Sequence, residues 1–320
     1  MSDPYLQPDG TLKNKFGVAD AAELERRESD RASWRALSLA DSGGLAKAGL
    51  ARLQAIHHHL LQDVYAWAGE PRTINISKAG FQDSTQFHRF TPAAEIEAAA
   101  RDVFGRAEAA GYFKGLSRQD FAKLAADHFA DVNQLHAFRE GNGRTQRLYI
   151  QSVAPDAGHT LDFAGISHER MIAVSIATDS GNREPMRRPF EEISDPVRSQ
   201  RLSKAAAFLE ANREKLGVDW NQLPMETAIP DEHIEGSFVA SDQTSAIVLA
   251  DSSAGRPQRF VLANAKDLSA TTQCNDRVRF VATPLPEQRS DQDTATRARV
   301  AQALTMQAGQ ALRDGDMPAA

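Results

Sequence analysis

The chain has 320 residues, 41% hydrophobic and 25% charged, with a formal net charge of -6. That balance suits a globular chain with room for two domains, and its slightly acidic charge leaves no footprint for bulk nucleic acid or an anionic membrane. A single cysteine, Cys274, excludes an internal disulfide framework; with no apolar run able to span a bilayer and no signal-peptide pattern in Met1 to Phe16, the expected address is cytoplasmic.

Pro4 to Gly17 mixes proline, glycine and small polar residues and reads as an extended arm. Ala21 to Leu37 is dense in glutamate and arginine, a charged helix expected to carry Trp34 to the core. After Gly44, the positions Leu50, Leu53, Ile56, His57, Leu60, Leu61, Val64, Tyr65 and Trp67 form a wide helical stripe that Gly69 and Pro71 close. His57, His58 and His59 invite a metal, but consecutive helical residues point about 100° apart and cannot converge on one ion. The stripe therefore reads as a core helix.

Thr73 to Ser77 alternates β-branched and small residues, which predicts a short strand. It can pair with Gln86 to Phe90 across the Ala79 to Thr85 turn, leaving an edge able to accept another chain. Thr91-Pro92 reads as the start of a helix over Ala93 to Phe104. Leu116 to Leu135 again has a helical period and delivers His136 to a helix C-terminus. Helices are expected over His168 to Ala177 and over Ser199 to Leu216, the second stopped by Gly217.

Composition changes after Trp220. Gln222 to Asp231 reads as a linker, and Ile234 to Ala240, Ser245 to Ala250, Arg259 to Ala263 and Arg277 to Ala282 read as strands of a small barrel or sandwich. Its aromatics are only Phe238, Phe260 and Phe280, with acids among the arginines, so a base-stacking platform is not supported. Pro284 to Asp293 is polar linker, and Thr294 to Leu312 has a helical pattern.

The chemistry is concentrated in His136-Ala-Phe-Arg-Glu-Gly-Asn-Gly-Arg-Thr-Gln-Arg147. Gly141 and Gly143 permit a tight turn, and a helix restarting at Arg144 points free amides at any anion held there. His136 is the one side chain in the stretch able to exchange a proton near neutral pH, which suits a general base acting on a hydroxyl. Glu140 offers hard oxygens for one Mg²⁺ that also binds substrate phosphates. Asn142 can donate to a phosphoryl oxygen, Arg144 and Arg147 share a helix face toward phosphates, and Phe138 anchors the loop. Taken singly, each has a bland reading as a capping, turn or surface residue; their coincidence within one turn favours a site.

With these residues in view, the stretch resembles the signature of the Fic family, His-x-Phe-x-(Asp/Glu)-Gly-Asn-Gly-Arg-x-x-Arg, matched at every defined position. The likeness runs from Leu12 through Asp63-Val64-Tyr65-Ala66-Trp67-Ala68-Gly69 to the helices before Trp220, and is greatest to Bep-type effectors and VbhT-type toxins of bacterial type IV secretion. It departs at Ala137, where most relatives carry proline, and in a long polar stretch from Gly80 to Arg89. The resemblance implies a mainly α Fic (Fido) domain over 1–220 with a β-hairpin flap near 72–90. It also implies an OB-like β-barrel over 221–285, followed by a linker and C-terminal helix over 286–320.

The same likeness implies a protein adenylyltransferase moving AMP from ATP, with Mg²⁺, to a Tyr, Thr or Ser hydroxyl of a target protein. His136 is then the base, Glu140 the metal ligand, Gly141, Asn142 and Gly143 the anion hole, and Arg144 and Arg147 the phosphate contacts. The flap residues Thr73, Ile74, Asn75, Ile76, Ser77 and Lys78 would hold the target as an added strand. The alternatives are a Fic relative moving UMP or phosphocholine and an inactive Fic/OB binding scaffold; Glu140 stands where the phosphate-transferring branch has lysine. Family members are commonly inhibited by a helix bearing Ser/Thr-x-x-x-Glu-Gly/Asn. Neither Glu140-Gly141 nor Glu235-Gly236 fits, so a small antitoxin supplying a glutamate opposite Arg144 is expected, together with possible translocation into another cell.

Overall fold

α4 (Arg118–Leu135) forms the spine. Ser117 caps it by accepting the Asp120 amide, and its buried face runs through Phe121, Ala122, Ala125, His128, Phe129 and Val132 to Leu135. α2 (Gly49–Leu61), α3 (Ile96–Ala109) and α5 (Asn142–Val153) surround it, burying Leu53, Ile56, Leu60, Phe104, Tyr149 and Ile150 in one core. The computed structural model describes residues 3–39, 49–79, 87–178, 181–253 and 256–286. Residues 1–284 form one compact unit and 285–320 another, and the helix expected over Thr294 to Leu312 lies outside the described residues.

α1 (Ala21–Leu37) is capped by Asp20 and buries Leu24, Glu28 and Ala32, one face at four-residue spacing. Trp34 sits roughly 200° round from Ala32. It is 61% exposed rather than in the core as expected. The hairpin is shorter than predicted: β1 (Ser77–Ala79) pairs antiparallel with β2 (Phe87–Arg89), and Thr73 to Ile76 precede the strand. Ala93–Glu95 is a 3-10 turn, so α3 begins at Ile96.

α6 (His168–Thr178) and α8 (Pro196–Ala211) match expectation, with Gly217 left-handed after a further short turn of helix. α7 (Glu184–Ser194) was not foreseen: Pro185 and Pro189 disguise it. It nonetheless packs Met186, Phe190 and Ile193 into the core beside α4.

β3 (Met225–Thr227), β4 (His233–Ser241), β5 (Ser245–Ala250), β6 (Arg259–Asn264) and β7 (Arg277–Val281) form a sheet in the order β3-β6-β5-β4-β7. β3 runs parallel to β6 and the other pairs are antiparallel, with a bulge between Phe238 and Ala240. No pairing joins β3 to β7 among the described residues, so the expected small barrel or sandwich is seen as a five-stranded sheet. Nor is Gln222 to Asp231 a free linker. Glu192 on α7 accepts the Thr227 amide and hydroxyl at 3.2 and 2.7 Å, and Arg170 donates to the Met225 carbonyl at 2.8 Å.

Candidate active site

α4 ends in a left-handed residue, His136 itself, with φ 41° and ψ 57°. Its Nδ1 lies 3.2 Å from the Asn133 carbonyl. A carbonyl only accepts, so Nδ1 carries the hydrogen, and a proton taken up by the ring goes to Nε2. The ring stacks on Phe90 at 3.6 Å and 14°, and lines a cavity of about 810 Å³. Phe90 follows directly on β2, and sequence reasoning had assigned it no role at the site.

The loop after His136 is closed by Asn142. Its Oδ1 accepts the Phe138 amide at 2.9 Å and its Nδ2 donates to the Phe138 carbonyl at 2.7 Å. The Asn142 side chain thereby closes the loop, using its Oδ1 and one of the two Nδ2 hydrogens. Gly141 is left-handed at φ 77°, and a Cβ there would stand 2.4 Å from Leu61 Cδ1. The left-handed φ favours glycine, and any side chain would have to displace the tip of Leu61. α5 begins at Asn142, so the amides of its first turn face the cavity that Asn142 and Gly143 line. Glu140 lines the same cavity; its Oε1 accepts the Gly141 amide at 2.9 Å. Phe138 is buried beneath the loop.

The two arginines are placed differently. Arg144 donates to Glu28 of α1, and the Tyr65 hydroxyl donates to the other oxygen of the same carboxylate. Arg147 turns back along its helix, its Nη1 3.6 Å from where a Gly143 Cβ would lie. Burial, and then the neighbouring Arg144, disfavour its charge. No hydrogen bond or ion pair holds it among the described residues, so an anion at the turn would complete its surroundings.

Thr73, Ile74, Asn75, Ile76 and Ser77 form the opposite wall of the cavity, and Lys78 pairs with His88 in the hairpin. Buried Arg72 ties this wall to the loop: it donates to the carbonyls of His136 at 2.9 Å and Ile74 at 2.8 Å, and to that of Thr91. The N-terminal arm reaches the same rim, where Arg139 donates twice to Asp3 at 2.9 and 3.0 Å.

This geometry has relatives. The Fic/DOC family model matches residues 48–154. A probable protein adenylyltransferase Fic of Salmonella typhimurium is 31% identical over 61% of this chain and 94% of its own length. The chain belongs to the Fic/DOC family. It is also 34% identical to the protein adenylyltransferase VbhT of Bartonella schoenbuchensis, over 58% of the chain and 37% of VbhT, so it spans well under half of that relative. The solved type IV secretion effector BepA superposes with a TM-score of 0.75 at 26% identity, over 89% of this Fic chain and 97% of that one. Coverage that wide takes in the β-sheet as well as the helices.

Proposed function

We propose that this Fic protein is a protein adenylyltransferase that moves AMP from ATP to a Tyr, Thr or Ser hydroxyl of a target protein. The observation that carries the proposal is the His136 ring lining a cavity whose floor is the amide-rich start of α5, with Nδ1 turned back to the Asn133 carbonyl. In the reaction Nε2 takes the proton of the target hydroxyl and the hydroxyl oxygen bonds to the α-phosphorus. The bond from that phosphorus to the bridging oxygen breaks, and pyrophosphate leaves. The turn amides and Arg147 hold the phosphates, with Arg144 available once Glu28 yields it.

Mg²⁺ fits the donor set. Glu140 presents a carboxylate at the phosphate turn, and no cluster of three metal-binding side chains occurs among the described residues, which suits an ion carried in largely by the triphosphate. Bound there, it would offset phosphate charge. The exposed edge of the β1–β2 hairpin would receive a segment of the target as an added strand. A small antitoxin remains the proposed inhibitor. Since Glu28 already occupies Arg144, its glutamate would meet Arg147. Translocation through a type IV system is proposed from the likeness to BepA; no helix among the described residues is long and apolar enough to cross a membrane.

The test is incubation of the purified chain with α-³²P-ATP, Mg²⁺ and cell lysate. A labelled protein band that is lost with His136→Ala supports the reading; no label above the His136→Ala background overturns it.

A further inference from the structure

His57 lies in the middle of a histidine triplet that, as a metal site, is ruled out by helical geometry. The ring is fully buried on α2, where it touches the site from behind. The Gly69 amide donates to Nδ1 at 2.7 Å, and Nε2 lies 2.9 Å from the Glu140 carbonyl. The two partners fix the tautomer, since an amide only donates and a carbonyl only accepts: Nδ1 is bare and Nε2 carries the hydrogen. The ring also stacks on Phe138 at 3.8 Å and 12°. It thus grips the motif loop twice, by the Phe138 ring and by the peptide that leads into Gly141.

We infer that His57 is a positioning residue for the reaction: its Nε2–H pins the Glu140 carbonyl, and so sets the plane of the Glu140–Gly141 peptide and the direction of the amides after it. The inference rests on the proposed adenylyl transfer. Gly141 packs closely enough on α2 that a side chain there would meet Leu61 and the His57 ring. Asn142 closes the loop upon itself, and among the described residues it is His57 that ties the Glu140 carbonyl to the helical core.

The experiment uses the full chain with His57→Phe, which keeps a ring on Phe138 but has neither nitrogen, and His57→Gln, which keeps an acceptor and a donor. Ile56→Ala, a neighbouring core truncation, serves as the stability control at matched distance below its own melting temperature. Misplaced catalytic groups cost roughly 10²-fold in rate, so His57→Phe should lose about that much in kcat while Ile56→Ala keeps its rate. His57→Gln should recover part of the loss. Nitrogen-15 spectra of the wild-type imidazole should show the Nε2-protonated tautomer at pH 7, and His57→Phe should bind pyrophosphate more weakly than Ile56→Ala. The last two readouts need no transfer activity, so an inactive wild type would remove the proposed function while they still decide on His57. An Nδ1-protonated or doubly protonated ring, or His57→Phe behaving like Ile56→Ala in rate and pyrophosphate affinity, overturns the inference.

Discussion

Glu28 and Arg144 are 116 residues apart in the chain and form an ion pair at the edge of the motif. The Glu28 side chain is 8% exposed and that of Arg144 32%, with Tyr65 bonded to the far carboxylate oxygen. The place opposite Arg144, expected to receive a glutamate from a separate antitoxin, is filled by the chain's own α1. A nucleotide phosphate seeking Arg144 has to compete with that carboxylate. Glu28→Ala should therefore bind ATP more tightly while losing about 1–3 kcal/mol of stability, since a mostly buried guanidinium is left without its acceptor. Calorimetric titration and thermal melts check the two opposite signs; weaker ATP binding by Glu28→Ala would show that Glu28 orients Arg144 for the nucleotide.

Arg147 has no such partner among the described residues, and it lies against Gly143 at the phosphate turn. Arg147→Ala should weaken ATP binding more than Arg144→Ala does, with a smaller fall in melting temperature. Titration of ATP and of AMP against both variants checks it, because contacts to the outer phosphates are missing with AMP.

His136→Ala should reduce transfer by about 10² to 10⁴-fold while leaving ATP affinity near the wild-type value. In the proposed reaction the side chain supplies the base, and the amides and arginines proposed to bind phosphate come from elsewhere. Single-turnover transfer with equilibrium binding on the same preparation checks both halves.

How far these features could be read beforehand follows from their geometry. The motif was legible because a helix end, a glycine turn and a helix start are contiguous, and the four longer strands were legible as β-rich segments between turn residues. Glu28 was not, since in Ala21 to Leu37 it looks like Glu23 and Glu25 until the fold selects the face shared with Leu24 and Ala32. His57 was hidden the same way among its neighbours, and nothing local reveals that the Asn142 side chain also closes on Phe138. β3 is 3 residues long and pairs in parallel with a distant strand, so no periodicity could announce it.

The sheet is held to the helices by a buried ionic cluster. Arg170 and Glu192 have side chains 4% and 2% exposed, and Arg259 is paired with Glu226 and Glu232 beside them. Removing one member of a buried pair strands the other charge, so Glu192→Gln should cost about 3–5 kcal/mol, and Arg170→Met with Glu192→Leu together should cost less than either alone. Denaturant midpoints of Glu192→Gln, of the two single variants Arg170→Met and Glu192→Leu, and of their double variant check the ordering.

Replacing Lys78 by proline should break the β1–β2 pairing, in which Lys78 faces His88. Labelling of a protein target should fall while ATP affinity changes little, because the cavity wall at Thr73 to Ser77 is anchored separately through Arg72. An equal loss of ATP binding would assign the hairpin to the nucleotide pocket instead of to target docking.

Acid should destabilise the helical unit through two histidines before the carboxylates take part. Burial lowers the pKa of His57, and of His128 beside Tyr149, from 6.5 to about 4. Between those values the unfolded chain binds protons at both positions and the folded chain does not, so stability rises with pH there and falls as pH drops from 6.5 toward 4. Shifts of this size correspond to on the order of 3 kcal/mol for each ring. Glu192 joins at lower pH: burial alone would raise its carboxyl, but Arg170, Arg188 and Thr227 outweigh burial and hold it below 4.5, so its contribution is lost only as pH falls under that value. The melting temperature should accordingly drop steadily from pH 6.5 to 4.5. His128→Phe, which removes one of the two protons taken up on unfolding, should halve that slope while lowering stability at pH 7.5 through the lost bond to Tyr149. A slope unchanged by His128→Phe would mean that His128 titrates normally in the folded protein.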